Sequence, residues 1–195
     1  QDGAEITMEV DPATFVENDL NGYVEIGVNR FSLGGQAFDD RTLVSIGRKH
    51  NRSQLIEACK WVNDLFKQGL LKSWSLDLIQ NLPGLNLSMW IKELEQAVDT
   101  EAPHLSIYDL AIEPDTVFGR IHKKGSLNIP IESEAQKIDF ETNKFLKNRG
   151  FSRYEISSYS LPGHASRHNR MYWSGSGWWG FGMGATSAPW GERFS

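Results

Sequence analysis

The sequence predicts an α/β fold: the later part of a parallel βα barrel, followed by an α+β extension. Three observations carry this. Short strand-like runs alternate with segments of helical periodicity through the first half of the chain. Capping and stop signals separate those segments, and the alternation then loosens into a tail rich in Gly and Trp. The alternating units share no sequence similarity, so the chain is no solenoid.

The elements follow in order. "EITMEV" (5–10) is the first strand, and Asp11-Pro12 then starts a helix carrying Phe15, Val16 and Leu20. "NRFSLGG" (29–35) is the second strand. Asp39 or Asp40 caps a short helix running through Leu43 and Ile46 to Gly47. Leu55, Ile56, Cys59, Val62, Leu65 and Phe66 define the buried face of a helix over 52–68, stopped by Gly69. "WSLDLI" (74–79) is the third strand, a helix occupies 87–99, and "HLSIYDLAI" (104–112) is the fourth strand. A helix spans 132–149 and ends at Gly150, and "RYEISSYS" (153–160) gives a further β segment. The division expected is a barrel segment over residues 1–130 and an extension over residues 131–195.

Composition narrows the function classes. A hydrophobic fraction of 39% and a charged fraction of 23% describe a globular chain. No apolar run approaches the roughly 18 residues that span a bilayer. A net charge of −5 argues against phosphate-driven nucleic-acid binding, so no nucleic-acid partner is expected. The one cysteine, Cys59, sits on the apolar helix face and reads as core, which suits a reducing, cytoplasmic setting. The chain starts at Gln1 without a methionine and stops without a clear terminal element, as expected of a piece of a longer protein.

In parallel βα folds the working groups sit at the carboxyl ends of strands. Glu9 and Asp11 close the first strand, Gln36 follows the second, and Asp77 lies on the third. Glu9, Gln36 and Asp77 are therefore candidates to face one cavity, with Arg48 available for an anionic group. Strand-end capping is the alternative reading of the same residues. Gly34-Gly35 permits close approach of a ligand to the backbone, but "LGGQAF" lacks the dinucleotide-binding spacing.

The tail holds a second concentration of chemistry, "RHNRMYW" (167–173). His168 is able to ligate haem iron, and Tyr172 shares its face if the segment is helical. Trp173, Trp178 and Trp179 offer flat surfaces, and Arg167 and Arg170 suit carboxylates. Clustered Trp and Tyr also fill cores, so an ordinary packing role stands beside this reading.

The blocks "ITMEVDP", "GVNRFSLGGQAFDD", "SIGRKH", "SLDLIQNLPG", "LSIYDLAIEPDT", "RYEISSY", "GHASRHNRMYW" and "GFGMGATS" occur in the order of a known family. The chain resembles the oxygen-independent coproporphyrinogen III oxidase-like family of radical S-adenosylmethionine proteins, and "HNRMYW" resembles the signature of its haem-chaperone branch. The resemblance implies a partial (β/α)6 barrel that binds S-adenosylmethionine and a 4Fe-4S cluster. It implies S-adenosylmethionine contacts at Glu9, Gln36, Arg48, Asp77 and Ala111. It implies haem contacts at His168, Asn169, Tyr172 and Trp173, with His168 as the iron ligand. The family's cluster cysteines are absent from this chain and are expected upstream of it. The sequence also departs from the family at Gln80-Asn81, where Tyr-Gly is common, and at Met183 and Thr186, where Pro and His are usual.

Two functions follow from the resemblance. One is a haem-binding chaperone that passes haem to acceptor proteins; the other is oxidative decarboxylation of porphyrinogen propionates. The barrel supports both, and the tail block favours the chaperone. Membrane contact is expected only through partners. An unrelated barrel enzyme using Glu9 and Asp77 as acid and base ranks last, because it leaves the tail without a role.

Overall fold

The computed structural model describes residues 3–194. Six strands form one mixed sheet in the order β1-β2-β3-β4-β6-β5. β1 (Thr7–Val10), β2 (Arg30–Gln36), β3 (Ser73–Gln80) and β4 (His104–Asp109) are parallel neighbours, as the alternating pattern predicts. The helices between them are α1 (Glu17–Glu25), α2 (Asp40–Ser45), α3 (Arg52–Lys67) and α4 (Leu87–Asp99). Asp39, Asn51 and Asn86 cap the last three by accepting backbone N–H bonds from Thr42, Gln54 and Met89.

The second half departs from simple βα alternation. α5 (Val117–Lys123), capped by Thr116, lies in a stretch with no expected element. α6 (Glu132–Lys147) packs on α4. "RYEISSYS" is not one strand but a hairpin of β5 (Ser152–Arg153) and β6 (Ser158–Ser160), and β6 runs antiparallel to β4. α7 (Arg167–Trp173) is the motif "RHNRMYW" itself. The sheet is open, with β1 and β5 as its edges.

Two further boundaries move. Asp11-Pro12 does not start a helix: Thr14 N–H bonds Asp11 O in a turn, and α1 begins only at Glu17. Ala13, in the left-handed region at φ 64°, breaks the helical path. The fourth strand stops at Asp109 rather than residue 112, because its ladder with β3 ends at Gln80–Asp109, where β3 itself ends.

The two faces of the sheet differ in chemistry. Phe31, Leu33, Trp74, Leu76, Leu78, Leu105 and Ile107 point to the helix-backed side and join Leu20, Leu55, Val62, Trp90 and Leu94 in one core. The alternate residues, Thr7, Glu9, Arg30, Ser32, Ser75, Asp77, Ser106 and Tyr108, form a polar face. A period of two thus separates the side that holds the fold together from the side available to a ligand.

Candidate functional site

Serine hydroxyls floor the polar face. Ser32 Oγ donates to Asp77 Oδ2 at 2.9 Å, and Ser75 Oγ lies 2.7 Å from Ser32 Oγ and 3.3 Å from Asp77 Oδ1. Burial pushes the Asp77 carboxyl above the usual range, against the opposing pull of the Ser106 and Ser32 hydroxyls and the Arg30 charge. Arg30, only 4% exposed, makes no ion pair among the described residues, and its Nε is buried without a hydrogen-bond partner. Desolvation lowers its pKa, partly offset by the charges of Glu5 and Asp77.

At the carboxyl end of β2 the chain makes a cradle. The register slips between Gly34 and Gln36, and Gln36 takes a left-handed φ of 67°. Arg48 Nη2 donates to Gly34 O at 2.9 Å and pairs with Asp11. A Cβ on residue 34 would lie 2.6 Å from Asp11 Oδ1 and 3.1 Å from both Arg48 Nη2 and Gln36 Nε2. Only glycine leaves this polar cluster its space. Gly34 is also the register partner of Asp77, and Ser32 that of Glu9. Glu9, Asp77, Gln36 and Arg48 therefore lie along one strip at the strand ends. Ala111 stands apart, on a cavity of about 360 Å³ between the end of α2 and the start of α5.

α7 lies over the polar face. Ser166 caps it, accepting from Asn169 N–H at 3.2 Å, and Glu5 accepts from the Arg167 and His168 N–H groups at 3.2 Å each. His168 and Asn169 line a cavity of about 70 Å³ together with Glu9, Arg30, Ser32, Ser75 and Ser106. The His168 and Tyr172 rings meet edge to face with centroids 4.5 Å apart, as their four-residue spacing predicts, and Tyr172 meets Trp178 in the same way at 4.6 Å. Tyr172 and Trp173 are exposed and do not line the cavity. Arg167 Nη1 donates to Gly3 O, and Arg170 lies over the Tyr154 ring.

Sequence reasoning missed the residues that hold α7. Glu5, Tyr154 and Ser158 sit on the first strand's approach and on the hairpin, up to 163 positions from the motif they touch. Tyr154 belongs to the block "RYEISSY", whose place in the family pattern was the only signal available.

These features define a class: an open α/β barrel segment whose helix-free face is polar and whose candidate ligand groups gather at strand ends. No family model matches the chain. It is 41% identical over 191 residues to the heme chaperone HemW of Synechocystis sp., covering 98% of this chain and 45% of that protein. It is 36% identical over 182 residues to the heme chaperone HemW of Escherichia coli, covering 93% and 46%. A third relative, the mitochondrial radical S-adenosyl methionine domain-containing protein 1 of Danio rerio, is 32% identical over 185 residues, covering 94% and 40%. Among solved structures, coproporphyrinogen III oxidase (HemN) from Escherichia coli, a radical SAM enzyme, superposes with a TM-score of 0.78 at 20% identity, over 95% of this chain and 44% of that one. Over nearly its whole length the chain is thus similar in sequence to HemW-type proteins, and it shares the fold of a radical SAM enzyme. It spans about half the length of the curated relatives it matches.

Proposed function

We propose that this chain is the later barrel segment (1–130) and the start of the extension (131–195) of a haem-binding chaperone, which holds haem against α7 and delivers it to acceptor proteins. The observation that supports this most is the exposure of α7: His168, Tyr172 and Trp173 are open on a helix that lies over the sheet face carrying the strand-end polar groups. A motif serving only to fill core would be buried, whereas Tyr172 and Trp173 are 42% and 58% exposed.

The residues present fit S-adenosylmethionine. The carboxylates of Glu9 and Asp77 give it charged partners, and Gly34 leaves room for Asp11, Arg48 and Gln36 to gather at the end of β2. Gln36 and Arg48 flank Gly34, whereas Ala111, on a separate cavity, is not brought to them. When bound beside a reduced cluster, S-adenosylmethionine supplies radical chemistry. Asp77, held by serine hydroxyls, and Arg48, held by Asp11, are oriented before any ligand arrives.

The 4Fe-4S cluster does not fit this chain. Its only thiol, Cys59, is buried on α3 and pushed up to about 12 by desolvation. No group of three metal-ligating side chains exists among the described residues. The ligands belong to the rest of the parent protein.

Haem fits α7 on one side only. A cavity of about 70 Å³ is far below the roughly 300–1,000 Å³ of small-molecule sites, so the macrocycle cannot enter between α7 and the sheet. His168 is exposed, the Tyr172 ring meets it edge to face, and Trp178 meets Tyr172 in turn. The haem would therefore lie on the outward side of α7, with Asn169 facing the sheet and fixing the helix. Among the described residues no helix is long and apolar enough to cross a membrane. A porphyrinogen-oxidising role draws only on the shared barrel fold.

The test is a haem titration of the reconstituted full-length protein, wild type against His168→Ala, followed by absorbance. Saturable binding that weakens at least tenfold in the variant is expected. Equal binding by both proteins removes His168 as ligand, and no binding by either rejects the chaperone reading.

A further inference from the structure

One hydroxyl joins the start of the motif helix to a buried histidine of β4. Tyr154 Oη lies 2.7 Å from His104 Nε2 and accepts from Ser166 N–H at 3.2 Å. Asn169 Nδ2 approaches the same oxygen at 3.5 Å and donates to Ser158 Oγ at 3.2 Å. His104 is fully buried, and burial, with the positive charges of Arg30 and His164, pushes its pKa down to about 3, so its ring is neutral.

Counting donors and acceptors assigns the protons. A phenol oxygen has one proton and two lone pairs. The lone pairs face the Ser166 N–H and the Asn169 amide, so the proton points to His104 Nε2, which accepts it. With Nε2 accepting, the His104 proton resides on Nδ1, which is buried without a hydrogen-bond partner. The phenol thereby joins the parallel sheet, through His104 on β4, to the cap residue Ser166 and to the second residue after the α7 start. Arg170, one turn along, stacks on the Tyr154 ring with its guanidinium carbon 5.7 Å from the centroid.

The other anchor on this side of α7 is Ser158 on β6, which accepts from the same Asn169 amide. Glu5 holds the first backbone N–H groups from the β1 side, and Trp178 touches Tyr172 from the tail. Neither fixes the rotation of the helix about its own axis. The Tyr154–Asn169 contact does, because Asn169 and His168 are adjacent and point about 100° apart on a helix. Turning Asn169 away from Tyr154 and Ser158 turns His168 by the same angle.

We infer that Tyr154 is a positioning residue for His168: the blocks "RYEISSY" and "HNRMYW" form one unit in which the phenol sets the rotation of α7, and hence the direction of the imidazole offered to the haem iron. This rests on the haem reading of His168 for its consequence, but the rotational role is a property of the protein without ligand.

The test uses full-length, cluster-reconstituted protein and hemin, comparing wild type, Tyr154→Phe and His168→Ala. Removing only the hydroxyl is expected to weaken hemin binding about tenfold, the effect of losing one to two buried hydrogen bonds. The Soret band and the ferric electron paramagnetic resonance spectrum should move toward those of His168→Ala, while S-adenosylmethionine affinity stays at the wild-type value. A general loss of stability would not reproduce that spectral change. Hydrogen exchange without hemin supplies the independent arm: amides 168–173 should exchange faster in Tyr154→Phe, with the barrel strands unchanged. Wild-type spectra and affinity in Tyr154→Phe overturn the inference and leave the haem reading standing. Absence of hemin binding in the wild type rejects the haem reading, and unchanged exchange in α7 then rejects the positioning role as well. If Tyr154→Phe does not fold, Ser158→Ala, which removes only the Asn169 acceptor, carries the same comparison with an expected loss of about threefold.

Discussion

The tryptophans of the barrel and those of the tail meet opposite fates. Trp74 and Trp90 are 0% and 1% exposed, whereas Trp179 and Trp190 are 56% and 80% exposed. Trp74 lies on the helix-backed face of β3 beside Phe31, its register partner on β2. Trp90 reaches from α4 to α6, donating its indole N–H to Thr142 Oγ1 at 2.6 Å. The tail rings touch mainly each other, edge to face, with Trp179 and Trp190 centroids 5.3 Å apart and Phe194 6.4 Å from Trp179. Their faces remain open. In the barrel the aromatic area has been used to hold layers together; in the tail the same residue type leaves surface for something else to cover.

That contrast can be broken by substitution. Trp90→Ala should destabilise the folded protein by about 3–5 kcal/mol in a denaturant titration, through a cavity between α4 and α6 and the loss of the indole bond to Thr142. Trp190→Ala should change stability by no more than about 0.5 kcal/mol. Comparable losses in the two variants would show that the tail rings are structural and would remove the open surface on which the haem reading draws.

Acid sharpens the comparison between buried and exposed histidines. His104 is held neutral in the fold with a pKa of about 3, while in the unfolded chain it takes its ordinary value near 6.5. Between those values the unfolded state binds more protons, so this residue's contribution is present above the unfolded pKa and is lost as pH falls toward 3. The slope reaches about 1.4 kcal/mol per pH unit. Asp77 and Glu93, whose carboxyls burial raises, work in the opposite direction, so the difference between wild type and His104→Gln is the quantity to measure. A variant with the wild-type acid limb would mean that the His104 ring is not shielded from solvent protons.

A smaller effect probes the cradle. Gly34→Ala places a methyl against Asp11 and Arg48, and should lower S-adenosylmethionine affinity in the full-length protein by about tenfold while costing about 1–3 kcal/mol of stability. Unchanged affinity would separate the cradle from the ligand. The smallest effect is expected at Gln36, whose left-handed backbone strains any residue but glycine. Gln36→Gly should raise stability by about 0.5–1 kcal/mol while weakening the same ligand, since the amide is lost. A stability loss instead would show that the side chain contributes more to the fold than its backbone conformation costs.

Much of the barrel was legible because its signals are local. Leu55, Cys59, Val62 and Leu65 repeat at helical spacing, and α3 forms where they do. The alternation in "RFSLGG" and "WSLDLI" places Phe31, Leu33, Trp74 and Leu76 on one side and Ser32, Ser75 and Asp77 on the other. Strand ends and family blocks nominate Glu9, Gln36, Arg48 and Asp77 as candidates, and the fold places them along one strip. The turn at Asp11–Thr14 was misread because proline after aspartate starts helices and turns alike, and nothing nearby shows that Ala13 turns left-handed.

By itself the sequence determined the parallel strand-helix succession, the polar-apolar division of each strand, and the spacing that stacks His168 on Tyr172. Each of these depends on residues a few positions apart, where backbone geometry alone decides what faces what. Only the tertiary structure decided that β6 enters beside β4 in the reverse direction, that Arg48 turns onto Gly34 and Asp11, and that α7 is fastened by Glu5 and Tyr154. Those contacts join groups tens to more than a hundred residues apart, and the sheet brings them within hydrogen-bonding distance only after its layers have packed.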